Sequence, residues 1–359
     1  MRRRKSFATI KDVANAAGVS ISTVSRVLNN KDDVSPETSA KIHTVINELN
    51  YTSSLAARSM RSQRTNVIGV IMPDVVTSYC IEVLRGINQA ITQSDYDLII
   101  YTTGDIWRSG TADQERRYVA LLNGSITDGM IVVAPVATHF STNAPVVVVD
   151  PNNGSPNYPA VIATNRAGVS TAMAYLTGLG HRRIGFITGR LELVSASHRL
   201  QGYKEGLAAV GIPLDEALIQ IGDYEAPRAI EGARALLSLE DPPTAIFASN
   251  DTSAMGVYQA ACEAGRRIPQ DLAVVGFDNV RDAVFLDPPL TTVDQFISEM
   301  GSIATNMVIK MVKGEALETD LHKISTQLVV RGSCLPLARG DNDVATVPPR
   351  KSLYVPAAR

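Results

Sequence analysis

Residues 8–42 read ATIKDVANAAGVSISTVSRVLNNKDDVSPETSAKI, three helical patterns separated by two turns. Thr9 stands where its hydroxyl caps a first helix, and Ile10, Val13, Ala14 and Ala17 recur behind it at helical spacing. Gly18 tolerates the left-handed conformation that ends such a helix. Ser20 is placed to cap a second helix over residues 21–29, with Val24, Val27 and Leu28 on its apolar face. Ile21, Ser22, Ser25, Arg26 and Asn29 make the other, mostly polar face. Ser35-Pro36-Glu37 opens a third helix with an N-cap, a first-turn proline and an acid near the positive helix end. Its core stripe is Ile42, Val45, Ile46 and Leu49. Two short helices joined by Ala-Gly-Val-Ser and backed by a third predict a helix-turn-helix, whose second helix can enter a DNA major groove. Ile21 then offers an apolar contact to a thymine methyl, Ser22 donates or accepts, and Arg26 bonds guanine or grips a phosphate. Taken singly, these residues describe only a three-helix bundle with a solvated arginine.

Charge separates the two readings. Residues 1–64 hold 11 Lys/Arg against 5 Asp/Glu, while the whole chain carries 34 against 36. A basic head on an acidic body implies that the head meets a polyanion. Apolar residues make up 45% and charged residues 19%, which excludes wholesale disorder, and 359 residues suffice for two or three domains. The three cysteines, Cys80, Cys262 and Cys334, are scattered, which excludes a disulfide framework or a metal knuckle and fits a reducing compartment. The start, MRRRKSFATIKD, lacks the apolar stretch of a signal peptide, and no apolar run approaches the ~20 residues of a membrane span. A cytoplasmic location without membrane contact is expected. P-loop, GxGxxG, HExxH and GxSxG motifs are missing, and His43, His139, His181, His198 and His322 have no metal spacing. The expectation is a protein that is not an enzyme and takes no cofactor.

The run 8–42, continued by ELNYTSSLAARSM at 48–60, resembles the DNA-binding head and linker of the lactose-repressor (LacI/GalR) family of bacterial transcription regulators. The resemblance implies that Ile21, Ser22 and Arg26 read the major groove, and that Thr9, Ser20, Thr23, Ser25 and Asn29 support the contact or grip the backbone. It also gives the linker a role. Residues 52–64, TSSLAARSMRSQR, favour helix around Ala56-Ala57-Arg58 but are too few to be stably helical alone. The family implies support from a partner hinge in the DNA minor groove, with Ala57 and Met60 as DNA contacts. Met60 stands where the family usually has a leucine wedge, and Ser53-Ser54 where it often has Pro-Asn. The plainer reading is a flexible linker without a wedge.

From residue 66 strand and helix patterns alternate. Apolar strand candidates are 67–73, 97–101, 128–135 and 145–150, then 183–188, 218–222, 244–249 and 272–277. Helical patterns lie between them at 79–92, 112–122, 166–179, 196–210, 226–239 and 251–264. Continuously apolar short strands between helices imply parallel sheets covered on both faces, and two series imply two doubly wound lobes with a ligand cleft between them. Polar residues follow the strands: Asp74, Asp105, Asp150, Gly189, Asp223, Asn250-Asp251 and Asp278-Asn279. Singly each is a helix cap or turn residue, but their recurrence at strand ends marks a site, because ligands of open α/β sheets bind there. His181, which follows Gly180 and precedes two arginines, reads as part of a helix end rather than a site. Trp107 lies in a loop near the proposed cleft mouth.

This body, about residues 66–335, resembles the effector domain of the same family, which has the fold of type I periplasmic sugar-binding proteins. The motifs are ATNRAGVSTAMAYLTGLGHRRIGFITG (163–189), ASHRLQGY (196–203), FASNDTSAMG (247–256), VVGFDN (274–279) and PPLTTVDQ (288–295). The resemblance assigns effector contacts to Ser195, Arg199, Asn250 and Asp278, with Asp74, Tyr79, Asp150 and Phe296 as further candidates and Tyr224 as an aromatic platform. Thr77-Ser78-Tyr79-Cys80 departs from the Asn-Pro-Phe-Phe common there. Such groups suit a small polyhydroxylated ligand: a sugar first, a nucleoside or nucleobase next.

The expected fold class is α/β: an all-α helix-turn-helix domain (1–51), a hinge (52–65), and a two-lobed doubly wound effector and dimerisation domain (66–335). Its lobes run over about 66–162 with 294–325 and 163–293 with 326–335. A Pro-rich tail (336–359) without leucine heptads favours a homodimer. The expected function is an effector-controlled transcription regulator on operator DNA, a repressor. The alternatives are a solute-binding protein or a sugar-active enzyme on the same two-lobed fold.

Overall fold

The structure is a computed structural model that describes residues 8–28, 33–49, 51, 64–104, 110–124, 126–152 and 157–337. Asn29, residues 52–63 of the hinge with Ala57 and Met60, Asp105, Trp107 and the tail from residue 338 lie outside the described residues.

The head contains α1 (Ile10–Ala17), α2 (Ile21–Leu28) and α3 (Pro36–Glu48). Thr9 and Asp12 close a capping box: the Thr9 hydroxyl accepts the Asp12 N–H, and the Asp12 carboxylate accepts the Thr9 N–H at 2.7 Å. Gly18 ends α1 at φ 66°, and Ser20 accepts the Thr23 N–H at 3.1 Å to start α2. Ser35 caps α3, whose first residue is Pro36. Val13, Ala14, Ala17, Val24, Val27, Ile42 and Val45 form the buried core. Leu49 does not join it. It is 37% exposed, because α3 stops at Glu48, and Tyr51 is buried in the core instead, with its N–H on the Ile46 carbonyl at 3.0 Å.

The body then runs β1 (Val67–Met72), α4 (Ser78–Ile91), β2 (Asp97–Thr102), α5 (Thr111–Leu122), β3 (Gly129–Val133), β4 (Val146–Val149), β5 (Ala160–Ala163) and α6 (Asn165–Gly178). It continues with β6 (Ile184–Thr188), α7 (Val194–Ala208), β7 (Ile219–Ile221), α8 (Ala226–Leu237), β8 (Ala245–Ala248), α9 (Asp251–Glu263) and β9 (Ala273–Asp278). Last come β10 (Thr291–Asp294), α10 (Ile297–Lys313), β11 (Leu321–Ile324) and β12 (Gln327–Val329). The chain forms two units, 1–162 with 298–322 and 163–297 with 323–359.

In the first unit the sheet order is β11-β5-β4-β3-β1-β2. All six residues of β1 are buried, as a strand covered on both faces requires. α4 and α10 meet through glycines: a methyl at Gly86 would overlap the Ser298 carbonyl, and one at Gly301 the Val83 carbonyl.

The second unit has the order β12-β10-β9-β8-β6-β7. Alternation along its strands builds a core on each face. Phe186, Phe247 and Val275 enter one cluster with Tyr203; their neighbours Ile187, Ile246 and Val274 enter the other with Leu236. Two sequence expectations change here. Strands β5, β10, β11 and β12 were not foreseen, because each has only three or four residues and most mix polar with apolar positions. The second sheet is not wholly parallel either, since β12 pairs antiparallel with β10.

Candidate functional site

On the head, Thr9, Ser20, Ile21, Ser22 and Arg26 are exposed, and Thr23 and Ser25 half-buried, so the starts of α1 and α2 are both accessible. Ile21 is 43% exposed although apolar, the kind of side chain that a base-edge contact would cover. Ser20 organises the turn: its hydroxyl lies 2.6 Å from that of Ser22 and 2.8 Å from that of Thr23. Arg26 faces Asp33 at 3.4 Å, both well exposed, so solvent screens the pair and the guanidinium can be drawn off by a phosphate or a base.

In the body, strained backbone marks the strand ends. Of the eight described non-glycine residues with positive φ, all but Asn66 lie at or within three residues of a strand's C-terminal end: Ala134, Asp150, Asp223, Tyr224, Asp278, Asn279 and Phe296. Such conformations cost on the order of 1–3 kcal/mol each and persist where the surroundings over-determine them. Asp150, Tyr224, Asp278 and Phe296 are four of the nine effector contacts expected from the sequence.

The second unit gathers its expected residues around Arg199. This side chain, on α7, is 3% exposed. Its Nε donates to Asn165 Oδ1 at 2.8 Å; its Nη1 donates to the Ser249 carbonyl and, at 3.4 Å, to Asp278 Oδ1. The guanidinium carbon lies 3.7 Å from the centre of the Phe277 ring and 5.4 Å from that of Tyr224. A planar fork that bonds at its edge and stacks on its face is a task for arginine, not lysine. Asp278 is held a second time, by Gln295 Nε2 at 2.6 Å. The Tyr224 hydroxyl lies 3.2 Å from Ser195 Oγ, and the Tyr224 carbonyl accepts from Asn250 Nδ2 at 3.2 Å. The Tyr224 ring sits against Gly189, where any Cβ would overlap it. Asn250 also caps α9, its Oδ1 accepting the Ser253 N–H at 2.8 Å. Its cap reading and its place in the cluster therefore hold together.

The remaining expected contacts stand at other strand and helix ends. Asp74 uses one carboxylate oxygen in a turn, accepting from the N–H groups of Val76 at 2.8 Å and Thr77 at 2.7 Å. Tyr79 is half-buried on α4, and Asp150 follows β4. Phe296 joins the Asp278 neighbourhood through the backbone, its N–H donating to Asp294 Oδ1 at 2.7 Å. His181 is structural, as its sequence neighbours implied. Nδ1 lies 3.0 Å from Thr244 Oγ1, Nε2 lies 3.2 Å from the Leu335 carbonyl, and burial lowers its pKa.

Sequence reasoning missed Asn165, Phe277 and Gln295, which touch Arg199 or Asp278 directly. Asp251 was counted among the polar strand-end residues but given no part in the site. It is fully buried: its Oδ2 accepts the Val280 N–H at 2.9 Å and its Oδ1 accepts the Thr292 hydroxyl at 2.5 Å. Burial, then repulsion from Asp278, pushes its carboxyl well above the ordinary aspartate range. Its signal was present in Asn250-Asp251, where two side chains follow β8 and only one is needed as a cap. Among the described residues no His/Cys/Asp/Glu cluster could hold a metal ion, and no helix is long and apolar enough to cross a membrane.

Comparison with known proteins bears on the family and the fold. Residues 9–54 match the bacterial regulatory proteins of the lacI family, and residues 173–334 match a periplasmic binding protein-like domain. The HTH-type transcriptional repressor PurR of Vibrio atlanticus is 32% identical over 91% of this chain and 98% of its own. The ribose operon repressor of Haemophilus influenzae is 35% identical over 86% of this chain and 92% of its own. Among solved structures, the lac repressor dimer bound to operator and the anti-inducer ONPF superposes with a TM-score of 0.81 at 27% identity, over 92% of this chain and all of that one. The transcriptional regulator CelR–cellobiose complex gives 0.66 at 29% identity, over 91% of this chain and 99% of that one. A helix-turn-helix head, a body of two doubly wound units and full-length similarity to regulators rather than enzymes lead to one conclusion: the chain belongs to the lacI family of bacterial regulatory proteins, as a DNA-binding transcriptional regulator with an effector-binding domain.

Proposed function

We propose that the chain is a repressor acting in the cytoplasm as a homodimer, whose operator affinity is set by a sugar. Two copies of the head suit a near-palindromic operator, with Ile21, Ser22 and Arg26 at base edges and the Thr9 and Ser20 turns on phosphates. The observation that carries the effector reading is the buried Arg199–Asp278 pair beside the Tyr224 ring, the Ser195 hydroxyl and the Asn250 amide, on strained strand ends. Planar donors, a carboxylate acceptor and an aromatic face match the hydroxyls and the C–H face of a sugar. Asp74, Tyr79 and Asp150 on the first unit, and Phe296 on the second, are the further candidates. The ribose operon repressors and the cellobiose complex among the relatives favour the same ligand class. A regulator works by coupling, and ~1–3 kcal/mol between effector and operator sites changes DNA affinity about 5–150-fold.

A thermal-shift screen of D-ribose, cellobiose, purine bases and nucleosides tests the ligand class. A sugar is expected to raise Tm in the native chain and not in Asp278→Asn, and to change affinity for DNA selected by the protein from a random pool. Stabilisation by bases alone would move the assignment to the nucleobase class. In the selected DNA, Arg26→Ala is expected to lose about 1–3 kcal/mol of discrimination at one base position. Unchanged discrimination would remove Arg26 as a reader.

A further inference from the structure

Asn279 and Phe296 share a backbone conformation that non-glycine residues avoid, at φ 54° and 55°. They belong to different strand ends, those of β9 and β10, and one chain of hydrogen bonds ties them together. Asn279 Nδ2 donates to Asp294 Oδ2 at 2.8 Å. The other oxygen of Asp294 accepts the Phe296 N–H at 2.7 Å. On its far side, Asn279 Oδ1 accepts from Arg331 Nη2 at 2.5 Å. Arg331, just beyond β12, is itself anchored: Nη1 donates to the Leu290 carbonyl at 2.7 Å, and its backbone N–H donates to Thr291 Oγ1 at 2.9 Å.

The arrangement is directional. Arg331 can only donate, both oxygens of Asp294 accept, and an amide is the side chain that accepts on one end and donates on the other. An aspartate at 279 would satisfy Arg331 and repel Asp294; an alanine would satisfy neither. Asp278, one residue before Asn279, has φ 111° and meets Arg199. Neither it nor Phe296 is placed by backbone preference, so something else must place them.

We infer that Arg331, Asn279 and Asp294 form a positioning clamp that fixes the strained backbone of Asp278 and Phe296 and thereby presents these two side chains to the effector. The inference rests on the effector site proposed above. It adds three residues that need not touch ligand.

Amide hydrogen exchange in the full-length, ligand-free protein tests the clamp. Asn279→Asp is expected to speed exchange at the Phe296 amide at least tenfold, by turning the Asp294 carboxylate away. Adding Asp294→Asn reverses the middle hydrogen bond: the new amide at 294 donates to the carboxylate at 279 and still accepts the Phe296 N–H. The double variant is therefore expected to return within about twofold of the native rate, with peptides from β8 unchanged throughout. An indifferent single variant, or a double variant that does not recover, overturns the clamp. If Asn279→Asp alone fails to fold, the double variant still decides, since a merely destabilising change at 279 gains nothing from a second substitution. D-ribose added to the same samples separates the two ideas. Protection of peptides 276–281 and 294–297 in the native and double variants, lost in the single, supports the clamp's role in binding. Failure of D-ribose to protect the native protein counts against D-ribose as the sugar, while the ligand-free exchange still settles the clamp.

Discussion

Asp278 concentrates the tension of the site in one residue. It is 6% exposed, carries a formal charge, and sits at a φ that suits glycine. Its carboxylate is held by Arg199 at 3.4 Å and Gln295 at 2.6 Å, so its removal takes the counter-charge from a buried guanidinium and an acceptor from the Gln295 amide. Breaking one partner of a buried ion pair costs about 3–5 kcal/mol, more than a surface pair ever returns. Asp278→Ala is therefore expected to lower the stability of the second unit by about that amount. Asp278→Asn keeps an acceptor for Arg199 and is expected to cost much less. Scanning calorimetry of the two variants measures the difference, and equal losses would mean that hydrogen-bond acceptance at 278 contributes nothing. Asp278 was legible in the sequence because a polar residue ends the apolar run VVGF. Asn165 and Phe277 were not. One sits 34 positions from Arg199 and the other looks like any core phenylalanine, and only the folded chain brings both onto the same guanidinium.

Six helices of the body followed from spacing, and α4, α5, α6, α8 and α9 begin within a residue of where the pattern puts them, whereas α10 (Ile297–Lys313) was not among the helices read from the sequence. Helix crossings did not follow from spacing, since period says which face is buried but not what lies against it. The α4–α10 crossing shows the difference. Gly86 has ordinary helical surroundings in sequence, yet its missing side chain lets the Ser298 backbone lie against α4, and Gly301 does the same for Val83. Replacing glycine by alanine inside a helix normally gains up to about 1 kcal/mol. Here the new methyl meets backbone rather than a flexible side chain, and overpacking of this kind costs about 1–3 kcal/mol or more. Gly86→Ala is thus expected to lower Tm of the full chain. Gly178→Ala, at the end of α6 with nothing within 4 Å of the added carbon, is the control and is expected to hold or raise it. If Gly86→Ala were as harmless as the control, α4 and α10 would be free to separate at no cost. The four short strands missed from the sequence fail for a related reason: β10 and β12 are strands because they pair, not because TTVD or QLV demands it.

Over the whole chain, the two units repeat one design. Setting aside β11 and β12, the strands run β2-β1-β3-β4-β5 in one sheet and β7-β6-β8-β9-β10 in the other, the doubly wound order that places ligands at the carboxyl ends of strands. That repetition was readable as two series of apolar runs. The electrostatic consequence was not, because it depends on burial. Asp251, at the head of α9, is sealed from water beside Asp278, and the hydrogen bonds from Thr292 and Val280, with the more distant charge of Arg331, offset burial and repulsion only in part. Its folded pKa lies well above the ordinary 3.8. From that value up to the raised one, the folded chain keeps a proton that the unfolded chain has released. Stability must then fall as pH rises through this window, since the folded state binds more protons than the unfolded one. His181 works the other way: burial lowers its pKa, so its contribution is complete above the ordinary histidine value and is lost as pH falls from there through the lowered folded value. Asp251→Asn separates the two. An amide there can still accept the Val280 N–H and face the Thr292 hydroxyl, but it has no proton to lose. Between pH 5 and 9, Tm of the variant is expected to fall less than that of the native chain, with the acid-side loss attributed to His181 common to both. Parallel profiles would mean that Asp251 is ionised inside the fold, and that Thr292, Val280 and Arg331 stabilise a buried charge which the present geometry treats as neutral.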